Sequence, residues 1–171
     1  QISDAKKTQY KGEAHFLRAL YYFNLVRLFG DVPWIEKQQT ASDNLQVSRT
    51  SKDIVYQNII NDLSDASSML PAVYENSTDI GRATKGAAFG MLAKVYLTLK
   101  KYNETLVAID SVTNLGVYSL NRKYEWNFDD TRENGPESLF EVQYEKDVTA
   151  YAEFDILGQG GWHHEYMAPL A

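Results

Sequence analysis

Eleven of the fourteen residues from Phe16 to Phe29 are apolar, and only Arg18, Asn24 and Arg27 interrupt them. They continue a polar helical pattern that starts near Asp4, so a helix is predicted from Asp4 to Phe29. Its second half is apolar nearly all round and is expected to pack on more than one side. The run falls short of the ~20 residues needed to span a bilayer. Gly30 stops the helix as a C-terminal cap, and Pro33 prevents it from resuming. A fold that accommodates this element has to supply it with partner helices.

Three further segments are candidates. Thr50-Ser51-Lys52-Asp53 fits a capping box, after which Ile54, Val55, Ile59, Ile60, Leu63, Ala66 and Leu70 recur at helical spacing until Pro71. A third helix is predicted over 84–99, with Ala87, Ala88, Met91, Leu92, Val95, Tyr96 and Leu99 as its apolar face. A fourth, over 102–115, carries Leu106, Ile109 and Val112 and ends at Gly116. The short turn at Lys100-Lys101 makes those two helices antiparallel neighbours. Ala19-x-x-Tyr22 and Ala93-x-x-Tyr96 share one signature, and Phe89, Leu92, Ala93 and Tyr96 sit at the offsets of a tetratricopeptide helix. Thr105 and Ile109 fall where the second helix of such a repeat holds a small residue and an aromatic. Beyond the helices, Leu139 to Tyr144 reads as a short strand between turn-rich stretches. The predicted class is mainly α: tetratricopeptide-like helical hairpins in an alpha-alpha superhelix, then a loop-rich region with one or two short strands. The scaffold is placed at 1–120 and a loop-rich portion at 121–171.

Composition removes several functions. A net charge of −6 without a Lys/Arg cluster argues against a nucleic-acid partner. The absence of cysteine excludes a disulfide framework, a thiolate nucleophile and a Cys-based zinc site within this sequence. There is no phosphate-cradling Gly loop with Lys and no Gly-x-Ser-x-Gly turn, and no cofactor is expected. The 12 Tyr and 3 Trp suit both helical core packing and the faces of sugar rings or peptides. Asn76-Ser77-Thr78 matches the N-glycosylation acceptor, a pattern too short to carry weight without a secretory eukaryotic context.

Read together, several strings resemble the SusD/RagB family. They run from Glu13-Ala14-His15-Phe16-Leu17-Arg18-Ala19-Leu20-Tyr21-Tyr22-Phe23 through Leu28-Phe29-Gly30-Asp31-Val32-Pro33, Arg49-Thr50-Ser51, Val55-Tyr56, Asp62-Leu63 and Leu70-Pro71. Gly81-Arg82-Ala83-Thr84-Lys85-Gly86-Ala87-Ala88 is similar to the family's most recognisable string. Leu92-Ala93-Lys94-Val95-Tyr96-Leu97, Gly116-Val117-Tyr118-Ser119-Leu120 and Glu137-Ser138-Leu139-Phe140-Glu141-Val142 continue it, so the likeness covers about residues 13–145. The resemblance implies a surface-exposed lipoprotein of the bacterial outer membrane that binds oligosaccharides, in some members peptides. Such a protein sits as a lid on a TonB-dependent transporter and uses no catalytic group. It also implies that this sequence is an internal piece, because full members carry an N-terminal signal, a lipidated Cys and a C-terminal portion.

The stretch with most binding character is Gly158-Gln159-Gly160-Gly161-Trp162-His163-His164-Glu165-Tyr166. Trp162 and Tyr166 offer stacking faces, while Gln159 and His163 can hydrogen-bond sugar hydroxyls; these four are the predicted ligand contacts. Packing onto other parts of the protein is the competing role for Trp162. His163, His164 and Glu165 alternate faces on an extended segment, which disfavours joint chelation of a metal. His15, inside an apolar helix, is expected to be structural. The acidic loop with Asp129, Asp130 and Glu133 offers carboxylates to a glycosidase, although a solvated turn has the same composition. Glycan capture with a transporter therefore leads, ahead of a general tetratricopeptide scaffold and an α-helical glycosidase.

Overall fold

The computed structural model describes residues 2–40, 42–43 and 45–142. Four helices carry the fold: α1 (Asp4–Phe29), α2 (Lys52–Met69), α3 (Lys85–Thr98) and α4 (Tyr102–Asn114). Short 3-10 turns lie at Ser77–Asp79, Tyr124–Phe128 and Asp130–Arg132. Each helix packs on the next in chain order, while α1 and α3 meet only marginally. This is the successive stacking of tetratricopeptide-like hairpins, and residues up to Phe140 belong to one compact unit.

The core is a seam of Phe16, Phe23, Val55, Ile59, Leu63 and Val95, each at most 2% exposed. α1 contributes one stripe to it, Phe16, Ala19, Phe23 and Val26, spaced three or four residues apart. Beside that stripe, Leu20 and Tyr22 are partly buried, Tyr22 against Trp34, while Leu17, Tyr21, Leu25, Leu28 and Phe29 are exposed among the described residues. α3 has the broadest burial, with Gly86, Ala87, Ala88, Met91, Leu92, Ala93 and Val95 all enclosed, since it lies between α2 and α4. Of the apolar face predicted for α4, Val112 alone is partly buried. Thr105 and Ala108 turn inward while Leu106 and Ile109 face solvent. Small residues allow the close approach to α3 that Leu106 and Ile109 would prevent.

The helix ends show how each connection works. Gly30 closes α1 at φ +70°, donating its N–H to Val26 O at 3.0 Å, a conformation that only glycine adopts without cost. The predicted capping box does not form at α2. Ser51 holds the N-cap position without a side-chain bond, and the first-turn N–H of Lys52 donates instead to Asp31 Oδ1 at 2.8 Å. An antiparallel bridge between Val32 and Thr50 brings Asp31 there. Between α3 and α4, Lys100 takes φ +59°, with Lys100 N–H donating to Leu97 O and Lys101 N–H to Tyr96 O. That bond pair is the Schellman closure, here without glycine.

Two polar clusters tie α1 to α2 and to the segment that leads into α3. Asp62 of α2, 4% exposed, accepts from Arg18 Nε (2.7 Å), from Arg18 Nη2 (2.6 Å) and from His15 Nδ1 (2.7 Å). His15 is thus a structural donor, and the bond to Asp62 holds the Arg18 guanidinium above its ordinary pKa. Glu13 accepts from Gln9, from Tyr74 and from Arg82 Nε (3.0 Å) and Nη2 (2.8 Å). Burial, and then the neighbouring Glu13 charge, push the Tyr74 phenol well up. Asn76 Oδ1 accepts from Thr78 N–H at 3.0 Å, so this asparagine caps the first 3-10 turn.

Leu139 and Phe140, expected to open a strand, have no strand partner among the described residues. They are packed against helices: Phe140 meets Phe16 edge-on at 4.9 Å, and Leu139 lies over Gly90. The end of that segment, Gln143 and Tyr144, lies outside the described residues.

Candidate functional site

Segment 116–140 returns to α3 through a slot of two glycines. Gly86 and Gly90 stand one turn apart on the same helix face. A Cβ on Gly86 would overlap the Tyr118 ring, and one on Gly90 would overlap Leu139. Tyr118 OH then meets Thr84 Oγ1 at 2.8 Å, while the same Oγ1 accepts from Ala87 N–H as the α3 N-cap. The string Gly81 to Ala88 therefore does three jobs: Arg82 grips Glu13, Thr84 starts α3, and Gly86 receives Tyr118.

Above this anchor the chain forms a polar-braced turn. Ser119 N–H donates to Pro136 O at 3.0 Å. Glu137 Oε2 accepts from Asn121 N–H at 2.9 Å and from Asn127 Nδ2 at 3.2 Å, and Asn121 Nδ2 donates to Asn127 Oδ1 at 2.6 Å. Held this way, the 3-10 turn Tyr124–Phe128 points two aromatic rings outward. Tyr124 is 79% and Phe128 74% exposed, with ring centroids 5.3 Å apart and planes at 63°. Trp126, on the same turn, is half-buried beneath the Arg132 guanidinium, 4.2 Å from the ring centroid. Two exposed rings on a rigid base, rimmed by amides and carboxylates, offer stacking and hydrogen bonding to a ligand with one apolar face.

Asp129 does not behave as a glycosidase acid. It accepts from Thr131 Oγ1 (2.6 Å), Thr131 N–H (3.0 Å) and Arg132 Nε (3.1 Å). These bonds, the Thr131 hydroxyl first, hold its carboxyl below the usual carboxylate range. A general acid in glycoside cleavage needs the opposite shift. Among the described residues no His/Cys/Asp/Glu group could hold a metal ion, and no helix is long and apolar enough to cross a membrane.

The four predicted contacts, Gln159, Trp162, His163 and Tyr166, lie outside the described residues, as do His164 and Glu165. Tyr124 and Phe128 were not singled out by the sequence reading. Their signal is local: two aromatics at i and i+4 inside a turn-rich, charged stretch, where no apolar periodicity calls for burial.

A profile of SusD-like proteins, described as starch-binding and associating with the outer membrane, matches residues 1–97. A SusD-like protein of Bacteroides ovatus is 36% identical over 84% of this chain and 28% of its own length. The crystal structure of a SusD-like protein from Bacteroides fragilis superposes with a TM-score of 0.78 at 37% identity, covering 86% of this chain and 29% of the other. A laminarin-binding SusD-like protein superposes with a TM-score of 0.77 at 29% identity, over 84% and 32%. The chain thus spans about a third of the length of the relatives it matches. By the profile covering more than half of its residues, this chain belongs to the SusD-like family.

Proposed function

We propose that this protein captures oligosaccharides at the bacterial outer membrane and delivers them to a TonB-dependent transporter, without acting on them chemically. One observation carries the reading. A member of a family described as starch-binding presents two exposed aromatic rings with a hydrogen-bonding rim, on a base locked to its helical scaffold. Capture needs a preformed surface of this kind, because each group already held in place lowers the entropy cost of binding. The laminarin-binding relative supports a carbohydrate ligand over a peptide. In this reading residues 1–120 are the scaffold and 121–171 open the ligand-binding portion, with Trp162, Tyr166, His163 and Gln159 as further contacts. A lipid anchor outside this sequence would keep the protein on the cell surface.

The exposed apolar residues Tyr21, Leu28 and Phe29 on α1, and Tyr102 and Leu106 on α4, favour a second role for the scaffold as a protein-docking surface. In the capture reading that partner is the transporter.

Affinity electrophoresis of the intact protein in gels cast with starch, laminarin and other polysaccharides tests the proposal. Retardation by at least one polymer, with no reducing ends released, is expected. Trp162→Ala should weaken it. Release of reducing ends that stops on changing Asp130 or Glu133 would make the protein a glycosidase instead.

A further inference from the structure

We infer that the Tyr124–Phe128 corner is a subsite for uncharged pyranose units and discriminates against acidic glycans; this rests on the capture reading above. The argument is electrostatic as well as geometric. Residues 121–137 carry three cations, Arg122, Lys123 and Arg132, against five carboxylates, Glu125, Asp129, Asp130, Glu133 and Glu137. Lys123 Nζ is paired with Glu125 at 3.1 Å, and Arg132 Nε with Asp129 at 3.1 Å while its guanidinium covers Trp126. Cations that would recognise a uronate or sulfate are thereby already tied to carboxylates, leaving Arg122 against an excess of negative charge.

A glycan bearing a charge on each ring would be repelled by that excess, most strongly at low ionic strength, because salt screens exposed charges over roughly 8 Å at physiological concentration. Neutral sugars meet the reverse situation. Their hydroxyls donate to carboxylates in charge-assisted hydrogen bonds, and their C–H faces stack on the two rings. Glu125 lies between Tyr124 and Trp126 in the chain, and Glu133 follows the turn; both are exposed and can accept from a ligand. The Asn121 amide donates to Asn127 and the Asn127 amide to Glu137, which braces the turn. The rings are therefore held by contacts that a ligand need not disturb.

Calorimetric titration of the intact protein with neutral laminari- and malto-oligosaccharides, and with oligogalacturonate of the same length, separates the possibilities. The neutral series should bind, with the uronate at least about tenfold weaker at low salt. The double variant Tyr124→Ala, Phe128→Ala should lose about tenfold in affinity for the neutral ligand while its thermal unfolding stays unchanged, since both rings are exposed. Glu125→Gln with Glu133→Gln should narrow the gap between the two ligand types. Uronate binding as tight as the neutral series would overturn the inference, as would neutral binding indifferent to loss of both rings; capture itself would survive either result. If the protein binds no glycan at all, the capture reading and this inference fall together.

Discussion

The two hairpins are built on different principles. In α1–α2 the large side chains Phe16, Phe23, Val55, Ile59 and Leu63 are buried with Ala19 and Ala66, and the pair is fastened by a buried carboxylate, Asp62, gripped by Arg18 and His15. In α3–α4 it is made of small residues, among them Ala93, Thr105 and Ala108. Their connections differ accordingly. Residues 30–51 join the first pair and need a bridge, a cap borrowed from Asp31 and the Tyr22–Trp34 ring contact at 4.2 Å to stay organised. Three residues join the second pair, with Lys100 in the left-handed region. A long connection needs polar fastenings of its own, whereas a three-residue one is fixed by a tight turn. The second hairpin, through α3, is also the seat of segment 116–140.

Three experiments test that contrast. Asp62→Ala should cost most, about 3 kcal/mol in urea unfolding, because it leaves Arg18 and His15 without their shared acceptor. The value sits at the low end for a broken buried pair since both partners are about a quarter exposed and can regain water. A loss under about 1 kcal/mol would show that the first hairpin rests on its large side chains alone.

Gly86→Ala comes next. Its Cβ displaces Tyr118, which forfeits the bond to Thr84, for an expected cost of about 1–2 kcal/mol. In a Tyr118→Ala background the same change should be neutral or slightly stabilising, because alanine is the better helix former. An unchanged cost there would separate Gly86 from the seating of segment 116–140. The double-mutant cycle also reads whether that segment is coupled to α3.

The smallest effect distinguishes two ways of starting α2. Asp31→Ala should lose about 1 kcal/mol, the ordinary value of an N-terminal cap, while Ser51→Ala should lose only a few tenths. Equal losses in thermal unfolding would return the capping role to Ser51.

Much of the scaffold was legible because helix formation is local. The apolar spacing from Asp4 to Phe29, the Gly30 stop, and the periodic runs ending at Pro71 and Gly116 placed all four helices within a residue or two. Which face each helix buries was less legible. On α4 Leu106 and Ile109 are exposed while Thr105 and Ala108 are buried, because α3 meets the face that carries the small residues, and on α1 several apolar residues of the outer side are exposed among the described residues. The Asp31 cap was hidden because donor and acceptor lie 21 positions apart and meet only through the Val32–Thr50 bridge. The stretch 159–166, chosen for its residue types, lies outside the described residues, whereas Tyr124 and Phe128 drew no notice in a charged turn.

By itself, the order of residues determined where helices begin and end, that they stack as hairpins, and to which family the string from Glu13 to Val142 is similar. Those properties depend on periodicity and caps, which act over a few residues. Only the tertiary structure decided that Gly86 and Gly90 form a slot, that Asp62 is a shared acceptor, and that two rings of the turn 124–128 stand clear of the core. Each depends on which surfaces meet across the fold, and exposure is a property of the packed whole.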